Sequence, residues 1–226
     1  MCMTLFKREL ILNNPSATIA IMKNTKTPLM FSWMHPDLTI KLTKKYGKAN
    51  LAKSVDGQKE YIKIYGDGNA VFAKKDIKKD SILFVMGGYI LDIEAENELT
   101  GIVSDKPIEL SENFSIGPRK ASDLPKMPQH YVNHSCEPNT GFDGQVFMVA
   151  MKKIKIGDEI VYDYGMIMHT NKASNSYFEF NCVCGKKACR GKIGENDWKN
   201  PKLQKKYDGY FQHYLQKKIN KLFTKK

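Results

Sequence analysis

Tyr131-Val-Asn133-His134-Ser-Cys136-Glu-Pro-Asn139, Gly157-Asp-Glu159-Ile-Val-Tyr162-Asp163-Tyr164 and Cys182-Val-Cys184-Gly185-Lys-Lys-Ala-Cys189-Arg190-Gly191 follow one another in that order along the chain. Between the first two, Asp143-Gly144 predicts a two-residue hairpin turn joining Phe142 to Gln145-Val-Phe-Met-Val-Ala150, because that turn needs positive φ values that Asp and Gly tolerate. The third stretch puts Cys182, Cys184 and Cys189 in one tight loop relieved by Gly185, a spacing suited to thiolate ligation of zinc, which in a tetrahedral site needs a fourth donor. The plainer reading of these residues is small buried hydrophobes. Asn133-His134 alone reads as a capped turn or a core histidine, and Tyr162-Asp163-Tyr164 alone as a buried strand end.

Further out the signals become structural. Residues 61–65, 70–73 and 82–86 are strand-length apolar runs bounded by turn residues, which predicts a β-rich stretch. Lysines within residues 38–53 suit a short helix, and the first fifty-odd residues carry neither repeat nor cysteine cluster. Beyond Gly194, apolar positions from Leu203 through Tyr207, Phe211 and Leu215 to Phe223 recur at helical spacing, predicting one amphipathic helix with a face packed on the domain.

A chain of 226 residues with 42% hydrophobic content can bury one main core. It has no run of about 18 apolar residues such as a membrane span needs, and Lys7, Arg8 and Glu9 fall where a secretory signal would be apolar, so a soluble, intracellular protein is expected. Cys2 stands apart, while Cys136, Cys182, Cys184 and Cys189 suit a metal cluster in a reducing compartment better than paired disulfides. The net charge of +12 favours acidic partners, yet part of it lies in a lysine-rich tail. Direct nucleic-acid binding is not expected, because specific readers use arginine and aromatic residues on a recognisable module.

Together the three motifs resemble the SET-domain family of protein lysine methyltransferases with its zinc-binding post-SET segment. The resemblance covers about residues 59–194. It implies a mainly β fold with peripheral helices, in which a threaded, pseudoknot-like C-terminal segment brings the Asn-His and Asp-Tyr motifs together. It divides the chain into an N-terminal flanking region (1–58), a SET domain (59–166), a post-SET zinc segment (178–194) and a C-terminal basic amphipathic helix (195–226). By the same resemblance Cys136 joins Cys182, Cys184 and Cys189 around a structural Zn2+. S-adenosyl-L-methionine is the implied methyl donor, held by Gly68-Asn69-Ala70, Asn133, His134 and Tyr164. Alanine stands at position 70 where the family commonly has the second glycine of Gly-x-Gly. Tyr164 is the implied catalytic hydroxyl, and Tyr162 occupies a Phe/Tyr position that tunes product methylation, here towards monomethylation. Tyr131 and Phe142 are candidates for the wall of a lysine channel. Glu159 and Asp163 are expected to hold the loop and not to act as an acid/base pair.

The expected function is transfer of a methyl group to a lysine of a histone or another basic protein, in nucleus or cytoplasm, or in a host cell if the source is a pathogen. The alternative is a catalytically weak SET-fold module that docks on chromatin or another acidic assembly, suggested by Ala70 and by residues 85–89, which depart from the family pattern. The target lysine and the oligomeric state are not legible in the sequence.

Overall fold

The Val161–Tyr162 strand organises the molecule, a computed structural model that describes residues 32–43, 52–53, 60–61, 68–169 and 179–224. It lies within a six-stranded sheet ordered Trp33–Met34, Ile82–Val85, Phe147–Ala150, Thr140–Asp143, Val161–Tyr162 and Asn133–His134. The first four strands pair antiparallel, whereas Val161–Tyr162 runs parallel to the neighbours on either side of it. Both neighbours precede it in sequence, so the chain returns and inserts a strand between two that already exist. Two-residue strands make few ladder bonds, and the side chain of Asn139 adds to them. Its Nδ2 donates to Glu159 O at 2.8 Å and its Oδ1 accepts from Val161 N at 2.9 Å, so one amide stands in for a length of strand.

The chain before the inserted strand is tied to a second layer. Leu38–Leu42 pairs antiparallel with Asn69–Ala73 over its full length, and Val71 O accepts from Ile160 N at 2.8 Å. A three-stranded sheet, Tyr89–Asp92, Phe114–Gly117 and Ile108–Glu109, and a Glu179–Asn181/Lys192–Gly194 hairpin flank the centre. Leu83, Phe84, Phe142, Met148, Ile154 and Ile160 are buried between these layers, and each such side chain contributes about 1.5–3 kcal/mol by leaving water. Tyr207, Phe211, Leu215 and Ile219 from the C-terminal segment complete the same core.

Several expectations change. Within residues 38–53, where a short helix is expected, Leu38–Leu42 and Ala52–Lys53 are strands, and residues 44–51, which carry Lys44, Lys45 and Lys48, lie outside the described residues. The hairpin at Asp143-Gly144 forms, but Asp143 pairs with Phe147, so the loop is the three residues 144–146. Docking explains the extra residue: Val146 O accepts from Met86 N at 2.9 Å, Gly144 O from His213 N at 2.9 Å, and the Gln145 side chain binds Glu109 O and Tyr214 N. The single helix expected over 195–226 is two, Pro201–Lys206 and His213–Thr224. Asn200 caps the first with Pro201 at its start, and Gly209 at φ +77 breaks the path between them. Leu222 and Phe223, placed on the apolar face by their spacing, are exposed. Of the strand run 61–65, Tyr61 belongs to a Glu60–Tyr61 strand, while 62–65, Cys2 and most of the 1–58 flank lie outside the described residues. Among the described residues no helix is long and apolar enough to cross a membrane.

Candidate functional site

The parallel register places Asn133 opposite Val161 and His134 opposite Tyr162, which puts the two motifs side by side. Asn133 is buried, and its Nδ2 donates to Asn69 O at 3.3 Å and to the Glu159 carboxylate at 3.1 Å. One side chain therefore joins the Gly68-Asn69-Ala70 segment to both halves of the crossing. Both N–H donors of that amide are engaged, so what it can offer a ligand is its oxygen. Gly68 has φ +85, a conformation that favours glycine, with Thr43 N donating to its carbonyl at 2.6 Å. Ala70 is fully buried in the extended strand and opposite Lys41, so the methyl that replaces the family's second hydrogen is accommodated in ordinary β backbone.

The rings of Tyr162 and Tyr164 lie tilted against each other at 39° and 4.8 Å between centroids, and Phe142 meets Tyr162 edge-on at 5.6 Å. The Tyr164 hydroxyl donates to Val132 O at 3.2 Å, one residue before Asn133. Burial pushes both phenols well above their ordinary value of 10, with the acids Asp105 and Glu159 adding to the effect at Tyr164, so both stay protonated. Phe142 is buried and Tyr131 partly so, each packed in the main core.

His134 is completely buried, and its two ring nitrogens face different groups: Nδ1 accepts from Tyr164 N at 3.2 Å, and Nε2 lies 3.4 Å from Cys136 Sγ. Burial lowers its pKa to about 4, with Arg190 adding and Asp163 opposing. Asp163, equally buried, holds the surroundings together. Arg190 grips both its oxygens, Tyr207 Oη donates to Oδ2 at 2.8 Å and Gly165 N donates to Oδ1 at 3.0 Å. Burial alone would raise this carboxyl; the Arg190 guanidinium and the hydrogen bonds outweigh it and hold Asp163 below the usual carboxylate value. Arg190 reaches on to Asp197 at 2.7 Å, and Lys206 Nζ donates to Cys136 O at 2.7 Å, so the C-terminal segment is anchored at the same place. Asn139, Arg190 and Tyr207 were not singled out as functional in the sequence. Asn139 and Arg190 stood in quoted motifs, but their partners are remote in sequence.

Cys136, Cys182, Cys184 and Cys189 bring their sulfurs within 4.8 Å of one another and could hold a metal ion. Cys136 and Cys182 are 3.9 Å apart, against about 3.8 Å for two thiolates on a tetrahedral zinc with Zn–S near 2.3 Å. Backbone N–H groups of Arg190, Cys184 and Gly191 each point to a sulfur at 3.4 Å. Burial pushes the Cys136 thiol up to about 11 and Cys182 higher still, while backbone hydrogen bonds bring Cys184 down to about 7 against its own burial. A divalent metal at this cluster would supply the positive charge that closely placed thiolates need. The donor set fits a closed four-thiolate site.

A family model described as the SET domain matches residues 68–165. The chain is 25% identical over 152 residues to the histone-lysine N-methyltransferase mes-4 of Caenorhabditis elegans, covering 57% of this chain and 16% of that protein. It is 24% identical over 130 residues to the H3 lysine-9 specific histone-lysine N-methyltransferase dim-5 of Neurospora crassa, covering 50% and 35%, and 31% identical over 87 residues to the methyltransferase flvH of Aspergillus flavus, covering 33% and 46%. The chain thus spans under half the length of each of these relatives. Among solved structures, KRYPTONITE in complex with mCHH DNA, an H3(1-15) peptide and SAH superposes with TM-score 0.40 at 21% identity, over 57% of this chain and 28% of that one.

Proposed function

Because residues 68–165 constitute a SET domain, we propose that this chain is an S-adenosylmethionine-dependent protein lysine methyltransferase acting on a histone or another basic protein. The observation that carries the reading is the insertion of Val161–Tyr162 beside Asn133–His134, which joins the proposed cofactor residues to the two tyrosines in one buried arrangement. The names of the curated relatives support lysine as the acceptor and histones as the substrate class.

S-adenosylmethionine would supply an electrophilic methyl group on a sulfonium. The Gly68 turn, the Asn133 oxygen and the His134 backbone would hold it; an amide oxygen suits the ammonium end of such a ligand. The incoming lysine must be neutral, yet at pH 7 a free lysine of pKa about 10.4 is protonated by a margin of roughly 4 kcal/mol. Asp163 is bound by Arg190 and Tyr207, and Tyr164 stays protonated, so neither serves as the base that would close that gap. The gap closes through desolvation by Phe142, Tyr162 and Tyr164 and through repulsion from the sulfonium, while the Tyr164 hydroxyl orients the amine. The Tyr162 hydroxyl takes room that a methylated amine would need and favours monomethyl product. The four cysteines would hold Zn2+ with no open coordination position, so the metal is structural and pins residues 179–194 against the SET core.

Transfer of radiolabelled methyl groups to histones and peptide arrays tests the proposal. Wild-type protein is expected to label a basic substrate, and Tyr164→Phe to lower the rate roughly a hundredfold. Failure of the folded, zinc-loaded chain to bind S-adenosylmethionine by calorimetry, together with no labelling, would overturn it in favour of a binding module.

A further inference from the structure

His134 touches two centres at once, and its hydrogen bonds fix which nitrogen carries the proton. Tyr164 N–H points at Nδ1 from 3.2 Å, so Nδ1 presents its lone pair and the neutral ring carries its hydrogen on Nε2. A second proton on Nδ1 would set two N–H groups against each other. Nε2–H faces Cys136 Sγ at 3.4 Å and is therefore the donor to that sulfur, which also receives Arg190 N–H at 3.4 Å. Edge contacts with Tyr164 at 5.3 Å and Phe180 at 5.5 Å fix the ring plane, and the side chain is shut away from solvent. The backbone of this residue belongs to the strand beside Tyr162, while its side chain is turned towards the sulfur cluster.

We propose that His134 is a positioning residue that couples the metal centre to the transfer site, its Nε2–H holding the Cys136 thiolate while its Nδ1 holds the backbone of Tyr164. The inference rests on the methyltransferase reading above. Its content is that the two hydrogen bonds are separable: the Sγ bond serves metal affinity, and the Tyr164 bond serves catalysis. Partners of metal ligands typically carry ten- to hundredfold of affinity.

Two near-isosteric variants divide the functions. His134→Asn keeps an amide oxygen near the Nδ1 position and loses the reach to Cys136; His134→Gln reaches the sulfur with an N–H and loses the acceptor for Tyr164. Zinc affinity is measured by competition with a chromophoric chelator, and kcat and KM on zinc-saturated protein. The expected result is zinc binding weakened tenfold or more in His134→Asn but not in His134→Gln, and kcat on zinc-saturated protein lowered more in His134→Gln than in His134→Asn. Co2+-substituted His134→Asn should also show a shifted thiolate charge-transfer band that His134→Gln restores. Equal losses of both quantities in both variants, or unchanged zinc affinity in His134→Asn, would overturn the coupling. Should either variant fail to fold, 15N NMR of the wild-type imidazole decides: an unprotonated Nδ1 and protonated Nε2 are expected, and a protonated Nδ1 would refute the proposal. A wild-type chain that binds neither zinc nor S-adenosylmethionine would instead sink the methyltransferase reading itself.

Discussion

Single side chains at this centre have divided duties that motif spacing does not reveal. Asp163 looks like half of an acid/base pair beside Glu159, yet it accepts from Arg190, Tyr207 and Gly165 and serves as a buried anchor. Tyr162 is almost fully buried between Phe142 and Tyr164, so removing its hydroxyl leaves a small space in a dry wall without disturbing the surrounding rings. Tyr162→Phe is expected to raise the share of di- and trimethyl-lysine in the product, read by mass spectrometry of a methylated peptide. Abundant trimethyl-lysine from the wild-type protein would contradict the assigned role. The gathering of side chains at this centre was legible wherever a motif named them. It was hidden where meaning lies in a partner, as with Tyr207, whose hydroxyl reaches Asp163 from far along the chain.

At the scale of elements, close approaches and enclosed charges make predictions that need no knowledge of the substrate. A Cβ built on Gly141, in the Thr140–Asp143 strand, would lie 2.7 Å from Tyr210 Cβ, and Phe142 N donates to Tyr210 O at 3.0 Å. Gly141→Ala must push the 207–212 segment away, at a cost of about 1–3 kcal/mol by urea denaturation. Glu109, on the Ile108–Glu109 strand, is raised by burial from 4.5 to about 8, with Glu96 and Glu195 adding and Lys218 opposing. The sign follows from the folded value lying above the unfolded one. The contribution is full below pH 4.5 and is lost as pH rises through about 8. Glu109→Gln should therefore match the wild type near pH 4 and exceed its stability at pH 8.5, and equal stability at the higher pH would count against an enclosed carboxyl. Strand positions such as Asn69–Ala73 and Ile82–Val85 were readable from short apolar runs bounded by turn residues. The longer hairpin loop was not, because contacts between distant segments, Gln145 with Glu109 and Gly144 with His213, decide it, whereas the break in the C-terminal helix has local signals in Asn200-Pro201 and Gly209 that the helical spacing masked.

Across the whole molecule, the cysteine cluster and the Arg190–Asp163 pair are where the hairpin, the crossing strand and the C-terminal segment meet. Stripping metal with a strong chelator is expected to lower the thermal midpoint, expose residues 179–194 to limited proteolysis and abolish methyl transfer, with readdition of zinc restoring all three. A chelated protein that kept its midpoint and its resistance to protease would show that the cluster holds no stabilising ion. The mainly β architecture and the threaded crossing could be anticipated from the family resemblance that the three motifs carry, supported by apolar runs that read as strands. Which strands flank the crossing could not, since pairing partners two residues long carry almost no sequence signal of their own. The same crossing bears on how the chain acquires its shape. Because Asn133–His134 closes the edge of the sheet, the inserted strand can zip onto Thr140–Asp143 first and receive its second neighbour afterwards. Both pairings are parallel and join segments well apart in sequence, so folding of this chain should be slow for its size.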